Sequence, residues 1–223
     1  MLIVFSNTKG GVGKSTLAAH LILWLFDRGC RVALLDTDPQ QTAAKWVHAA
    51  EPGVTVATAN EVDEIRRAKG ELSKTHDVIV ADSPGSGGDA AHTITLLADL
   101  VIIPLQPSKP DVRAIKDAMK FVRLAQELSG GQKPDAALVL TFAAKGDVQS
   151  RKLREQLQGV GVRVAVAEIR RLNAFRDSCD SAVTRQRSRE AAEAAKDIDA
   201  LFTELLDSRL AELIVSTPEV ANG

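Results

Sequence analysis

Lys9-Gly10-Gly11-Val12-Gly13-Lys14-Ser15-Thr16 constrains this chain more than any other stretch. An apolar run, Leu2-Ile3-Val4-Phe5, precedes it and reads as a short buried strand. Leu17, Leu21 and Leu25 follow at helical spacing and read as the apolar stripe of a helix. Strand, glycine loop and helix in that order form the context of a phosphate-binding loop. Glycines let successive backbone N–H groups turn inward and make an anion nest. The helix start adds unpaired N–H donors and the positive end of its dipole. Lys14 supplies a point charge for β- and γ-phosphates, and the Ser15 hydroxyl is placed to ligate Mg²⁺.

The chain has 223 residues, 45% hydrophobic and 26% charged, which is enough for one sizeable α/β domain and little more. We expect that domain over 1–214, with a flexible tail over 215–223. The formal net charge of −1 predicts no nucleic-acid partner from global charge, so any such partner must meet a local patch. Cys30 and Cys179 lie far apart with no C-x-x-C, which fits inert thiols in a reducing cytoplasm. No signal peptide is visible, and no apolar run approaches the roughly 20 residues of a membrane span.

Further along, Arg31-Val32-Ala33-Leu34-Leu35 reads as a second strand, with Gly29 as the stop of the first helix. It runs into Asp36-Thr37-Asp38-Pro39-Gln40. Carboxylates at the C-terminal end of a parallel strand face the crevice where ligands bind. Two acids beside a triphosphate suit Mg²⁺ coordination, directly or through water, and the positioning of an attacking water. A helix over Gln41–Ala50 carries Trp46, a strand covers Val54–Ala57, and a charged amphipathic helix covers Glu61–Lys74. Val78-Ile79-Val80-Ala81 then ends in Asp82, which carries a carboxylate to the Mg²⁺ side of the phosphates. Ser83-Pro84-Gly85-Ser86-Gly87-Gly88 follows as a mobile loop.

The remaining chain keeps alternating. We expect helices over Ala90–Leu97, Asp111–Leu128, Val148–Leu157 and Glu190–Leu213, and strands over Leu100–Pro104, Ala136–Phe142 and Arg163–Val166. Met119 lies on a core stripe with Ile115 and Val122. This alternation predicts a single-domain α/β fold, a mostly parallel twisted sheet with helices on both faces and right-handed crossovers. From Arg163 to Arg189 the charge is lopsided. Arg163, Arg170, Arg171, Arg176, Arg185, Arg187 and Arg189 face only Glu168, Asp177 and Asp180 in that segment. Such a patch suits a DNA backbone held without base reading, and Arg170 and Arg171 are the first candidates.

The K-G-G-x-G-K-[ST] form, with Thr8 where the general phosphate-loop pattern has glycine, resembles the deviant Walker A loop of the ParA/MinD ATPases. Asp36-Thr37-Asp38-Pro39-Gln40 resembles that family's switch I, the strand ending in Asp82 its Walker B, and the 83–88 loop its switch II. Leu105-Gln106-Pro107-Ser108 resembles the family's loop at the dimer face. The resemblance implies a P-loop NTPase fold, Mg-ATP as cofactor, and a homodimer that sandwiches two ATP molecules. Gly10 to Thr16 would cradle the phosphates, and Ser15, Asp36 and Asp82 would lie at the metal. Lys9 would act across the dimer, and Asp38 would be the acid tied to hydrolysis. The missing basic tail helix and the short length are most similar to small plasmid-type ParA partition ATPases. These imply non-specific DNA binding in the ATP form, a centromere-binding ParB-like adaptor that stimulates hydrolysis, no membrane, and a cytoplasmic, nucleoid-associated location. The other implied role is a positioning or assembly ATPase for a protein cargo. Adenine contacts would come from loops after late strands.

Overall fold

The computed structural model describes residues 1–215 apart from 86, 108–111, 132, 145, 147 and 179, and their side chains apart from 112–114, 207, 208 and 210–215. The expectations placed on Ser86, Ser108, Asp111, Cys179 and the 216–223 tail lie outside the described residues.

The elements alternate as the apolar runs require. They are β1 (Leu2–Phe5), α1 (Lys14–Phe26), β2 (Val32–Asp36), α2 (Thr42–Ala50), β3 (Thr55–Thr58), α3 (Val62–Leu72), β4 (Val78–Asp82), α4 (Asp89–Leu96), β5 (Leu100–Leu105), α5 (Val112–Leu128), β6 (Asp135–Ala143), α6 (Val148–Leu157), β7 (Arg163–Val164), β8 (Ile169–Arg170), α7 (Asn173–Arg176) and α8 (Arg189–Val215). The sheet order is β3-β2-β4-β1-β5-β6-β7, with β8 also pairing with β6, and the paired strands are parallel.

Successive strand residues point to opposite faces. Ile3, Phe5, Leu34, Val80 and Ile102 therefore pack beneath α1, α2 and α8, while Leu2, Val4, Leu35, Ile79 and Ile103 pack beneath α3 to α6. Burial on both faces is why these strands are apolar throughout rather than alternating. Helix α1 is buried on every side from Leu17 to Leu25. It lies between the sheet, α2 and α8, so an apolar stripe alone does not suffice there. Met119 is buried in the core with Ile115 and Val122, as the helical spacing predicts. Ala194, Ile198, Leu201 and Leu205 likewise form the buried face of α8.

Polar links fix the helices around this core. Trp24 Nε1 donates to Asp199 Oδ1 at 3.0 Å, and the Arg28 guanidinium lies 3.7 Å over the same indole ring while pairing with Asp199. His20 is fully enclosed between the rings of Trp46 and Phe175. Its Nε2 accepts from the Val183 N–H, so the ring proton sits on Nδ1 and is donated to the Thr16 carbonyl. Burial holds this imidazole neutral, with its pKa lowered to about 4. α1, α2 and α7 thus meet around one uncharged ring, one turn below the phosphate loop.

Two differences from the sequence expectation matter for the site. The chain segment expected as one strand to Val166 ends at Val164, and the sheet resumes at Ile169–Arg170. The pairing of β6 with β8 is irregular between Thr141 and Ala143, which leaves Phe142 as an inserted residue with φ of 55°. Such bulges re-aim side chains and are found beside functional sites.

Candidate functional site: the phosphate loop and its cleft

The parallel topology carries the C-terminal ends of β1, β2, β4, β5 and β6 to one edge of the sheet, where ligands bind in folds of this type. The loop after β1 turns through Gly11 at φ 72° and Gly13 at φ 95°, a left-handed backbone that glycine adopts without strain. Lys14 and Ser15 then begin α1. Asn7 at the start of the loop and side chains from two other segments brace it. Asn7 Oδ1 accepts from the Lys9 N–H while its amide donates to the Pro104 carbonyl at 2.8 Å. Gln106 Nε2 donates to the Gly11 carbonyl at 2.7 Å. The Thr141 hydroxyl sits 2.9 Å from the Val12 carbonyl and 3.2 Å from the Leu105 carbonyl, donating to one or the other. With loop carbonyls held from outside, the N–H groups are left to face an anion.

Lys14 is only 8% exposed, and burial lowers its pKa against the opposing charges of Asp82 and Asp38. Its ammonium lies beside Gly85, where an added Cβ would come within 3.2 Å of Nζ. Glycine at 85 lets the loop after β4 lie against the lysine. Lys9 is half-buried.

Asp36 and Asp82 end neighbouring strands in register, so both carboxylates stand at the sheet edge behind Ser15. Their surroundings differ. Asp36 Oδ1 accepts the Asp38 N–H at 3.0 Å and Oδ2 accepts the Ala44 N–H at 2.9 Å. It therefore caps the first turn of α2, whose flanking Gln41 makes no side-chain cap and has φ of 52°. Asp82 is fully buried and neither carboxylate oxygen has a well-formed hydrogen bond within the protein. Burial is the largest cause pushing its pKa up to about 7; the adjacent Ser15 hydroxyl and the Lys14 charge pull it down, and Asp36 and Asp38 push it up. The Ser15 hydroxyl thus stands close enough to matter electrostatically, though not in good bonding geometry. A buried carboxylate without partners beside a hydroxyl and a phosphate nest fits a divalent cation. Among the described residues no three His, Cys, Asp or Glu side chains form a closed metal cage. Asp38 is half-exposed one step further out, with Oδ1 accepting the Gln40 N–H at 2.9 Å.

A cleft of about 540 Å³ runs from Gly11, Gly13 and Thr16 to Phe142, Leu172, Asn173 and Phe175. Thr141, Phe142 and Phe175 were not singled out from the sequence, because each reaches the loop from a segment distant in the chain; Asn7 is adjacent to the loop, but its Pro104 partner is not. The arginines separate into two groups. Arg170 donates from Nε to Asp197 and from Nη1 to Glu193, so α8 neutralises it. Arg163 pairs with Glu204, and Arg185 with Asp27 and Glu51. These partners lie outside the segment over which the sequence showed an imbalance. Arg171, at the rim of the cleft, and Arg187 and Arg189, at the start of α8, are exposed with no ion pair among the described residues.

Comparison with known proteins agrees with this geometry. A family model described as the CobQ/CobB/MinD/ParA nucleotide binding domain matches residues 3–182. A ParA protein of Rhizobium radiobacter is 29% identical over 130 residues, 56% of this chain and 58% of that protein, so the match spans little more than half the relative's length. The fold is similar to that of Mycobacterium smegmatis cobyrinic acid a,c-diamide synthase with bound ATP analogue and magnesium, with TM-score 0.71, 23% identity, and 93% of this chain and 96% of that chain covered. It is also similar to a Borrelia burgdorferi B31 protein assigned to plasmid partition and bound to AMPPNP, with TM-score 0.70, 19% identity, and 93% and 98% covered. Since the family model spans most of its length, this chain belongs to the CobQ/CobB/MinD/ParA family of nucleotide-binding domains.

Proposed function

We propose that this protein is a Mg-ATP-dependent ATPase switch for DNA partition. The observation that carries the ATPase reading is the buried Asp82 carboxylate, with no well-formed hydrogen bond within the protein, beside Ser15 and the phosphate loop. In this reading Gly10 to Thr16 hold the phosphates through backbone N–H groups, and Lys14 neutralises the β- and γ-phosphates. Ser15 and Asp82 hold Mg²⁺, which supplies Lewis-acid charge on the phosphate oxygens. Asp36 stands behind them, and Asp38 orients the attacking water. Lys9 reaches the phosphates bound by a second copy of the chain, the role an arginine finger plays elsewhere.

The switch extends this reading. ATP between two copies favours a dimer, and the dimer presents the exposed arginines to a DNA backbone. Arg171, Arg187 and Arg189 are the proposed contacts, because Arg170 is already neutralised by α8. A ParB-like adaptor on a centromere stimulates hydrolysis and releases both dimer and DNA. The similarity to a ParA protein supports partition as the setting; in this reading the protein is cytoplasmic and associates with the nucleoid when ATP is bound. Asp38→Ala tests the cycle. The variant should bind ATP and remain a dimer in light scattering for hours, with turnover reduced about 100-fold or more, the scale of losing a positioned proton acceptor. Wild-type turnover in Asp38→Ala would remove Asp38 from the mechanism.

A further inference from the structure

Asn7 stands between β1 and the glycine loop and is only 2% exposed. A side-chain amide enclosed to that degree needs partners for both its donor and its acceptor. Asn7 finds them on two different segments. Just beyond β1, the Ser6 N–H donates to the Ile102 carbonyl of β5 at 3.0 Å. The backbone then leaves the sheet to form the loop. Asn7 supplies the next link to β5 with its side chain, Nδ2 donating to the Pro104 carbonyl at 2.8 Å. Its Oδ1 accepts the Lys9 N–H at 2.8 Å.

The loop is therefore anchored in two halves. Asn7 holds the Lys9 backbone, and Gln106 Nε2 holds the Gly11 carbonyl. Pro104 lies in β5 and Gln106 just after it, so the half from Lys9 to Gly11 is tied to the end of that strand. The Val12 carbonyl is met instead by the Thr141 hydroxyl from β6, and the chain from Lys14 onward is helix α1. The half from Val12 to Thr16 thus has anchors that do not involve Asn7.

We propose that Asn7 is a positioning residue for Lys9, fixing its backbone so that the lysine reaches the phosphates held by a second copy of the chain. This rests on the reading of Lys9 given above. Asn7 then serves hydrolysis in the neighbouring copy rather than in its own. An amide suits the place because it donates and accepts at once. Leucine fills a similar volume with neither polar atom, and aspartate would set a negative charge against the Pro104 carbonyl.

The test separates the two copies. Asn7→Leu should bind Mg-ATP within about threefold of wild type and lose about 100-fold in the rate of the first turnover, the scale of a catalytic group displaced by about 1 Å. Asn7→Ser, smaller and still polar, takes its place if Asn7→Leu fails to fold. The variant is then mixed with Asp38→Ala before ATP is added, and the first turnover is followed. In a mixed dimer the Asn7→Leu subunit keeps its own Asp38 and receives a correctly held Lys9 from its neighbour. Half of the dimers are mixed and each has one such site, so about a quarter of the bound ATP should be hydrolysed at the wild-type rate, which neither variant alone achieves. Lys9→Ala mixed with Asp38→Ala is the reference and should recover in the same way. Recovery with Lys9→Ala but not with Asn7→Leu would show that Asn7 serves its own loop, and wild-type turnover by Asn7→Leu alone would show that it positions nothing; either overturns the proposal. No recovery in either mixture overturns the reading of Lys9 itself, and the proposal with it.

Discussion

Lys14→Ala should lose Mg-ATP affinity about 100-fold or more, because it removes a buried cation at the phosphate loop. A charge-assisted contact in a water-poor site is worth about 1.5–3 kcal/mol, and each 1.4 kcal/mol is a factor of ten. The loss should exceed that of a single contact, since Lys14 also offsets the charges of Asp82 and Asp38. Lys14→Arg should not restore binding. Its larger head would meet the backbone at Gly85, where an added methyl already comes within 3.2 Å of the lysine nitrogen. Isothermal titration with ATP checks both variants. Near-wild-type affinity in Lys14→Ala would mean that backbone N–H groups alone carry the phosphates.

Asp82→Asn should separate function from stability. Hydrolysis should fall by about three orders of magnitude, the scale of losing several kcal/mol of metal-borne charge stabilisation. ATP binding without Mg²⁺ should be unchanged or tighter, because a negative charge behind the phosphates has gone. Folding stability at pH 8 without metal should rise by about 1–3 kcal/mol, since burial outweighs the Ser15 and Lys14 contributions and makes this carboxylate costly to keep ionised. Turnover assays and urea unfolding together test this. Lower stability in Asp82→Asn would mean that the carboxylate is structural rather than kept for a cation.

The phosphate loop and the two acid-ended strands were legible in the sequence because each signal is local. Leu2–Phe5 is bounded where the apolar run stops, and Gly13 and Lys14 meet the helix start as the loop pattern requires. Non-local features were not legible. β8 is two residues long and exists only through pairing with β6, so no periodicity marks it. Thr141 and Val12 stand 129 residues apart, and nothing near either one announces their contact. Arg170 looked unpaired in its own segment, but Asp197 lies 27 residues away on α8. Asp36 and Asp82 read alike from sequence, as acids ending strands. Only the fold shows that one is occupied by the Asp38 and Ala44 N–H groups while the other is without partners.

Whether nucleotide state controls DNA binding, as proposed, is tested by anisotropy of a labelled random-sequence duplex with Mg-ATP, Mg-ADP or no nucleotide, across a salt series, for wild type and Arg187→Ala/Arg189→Ala. Binding is expected with Mg-ATP and not with Mg-ADP or no nucleotide, weakening linearly in log salt as phosphate contacts release counterions, and weaker with a shallower slope in the double variant. Binding that is absent with ATP at low salt, or equal in all three nucleotide states, would contradict that proposal.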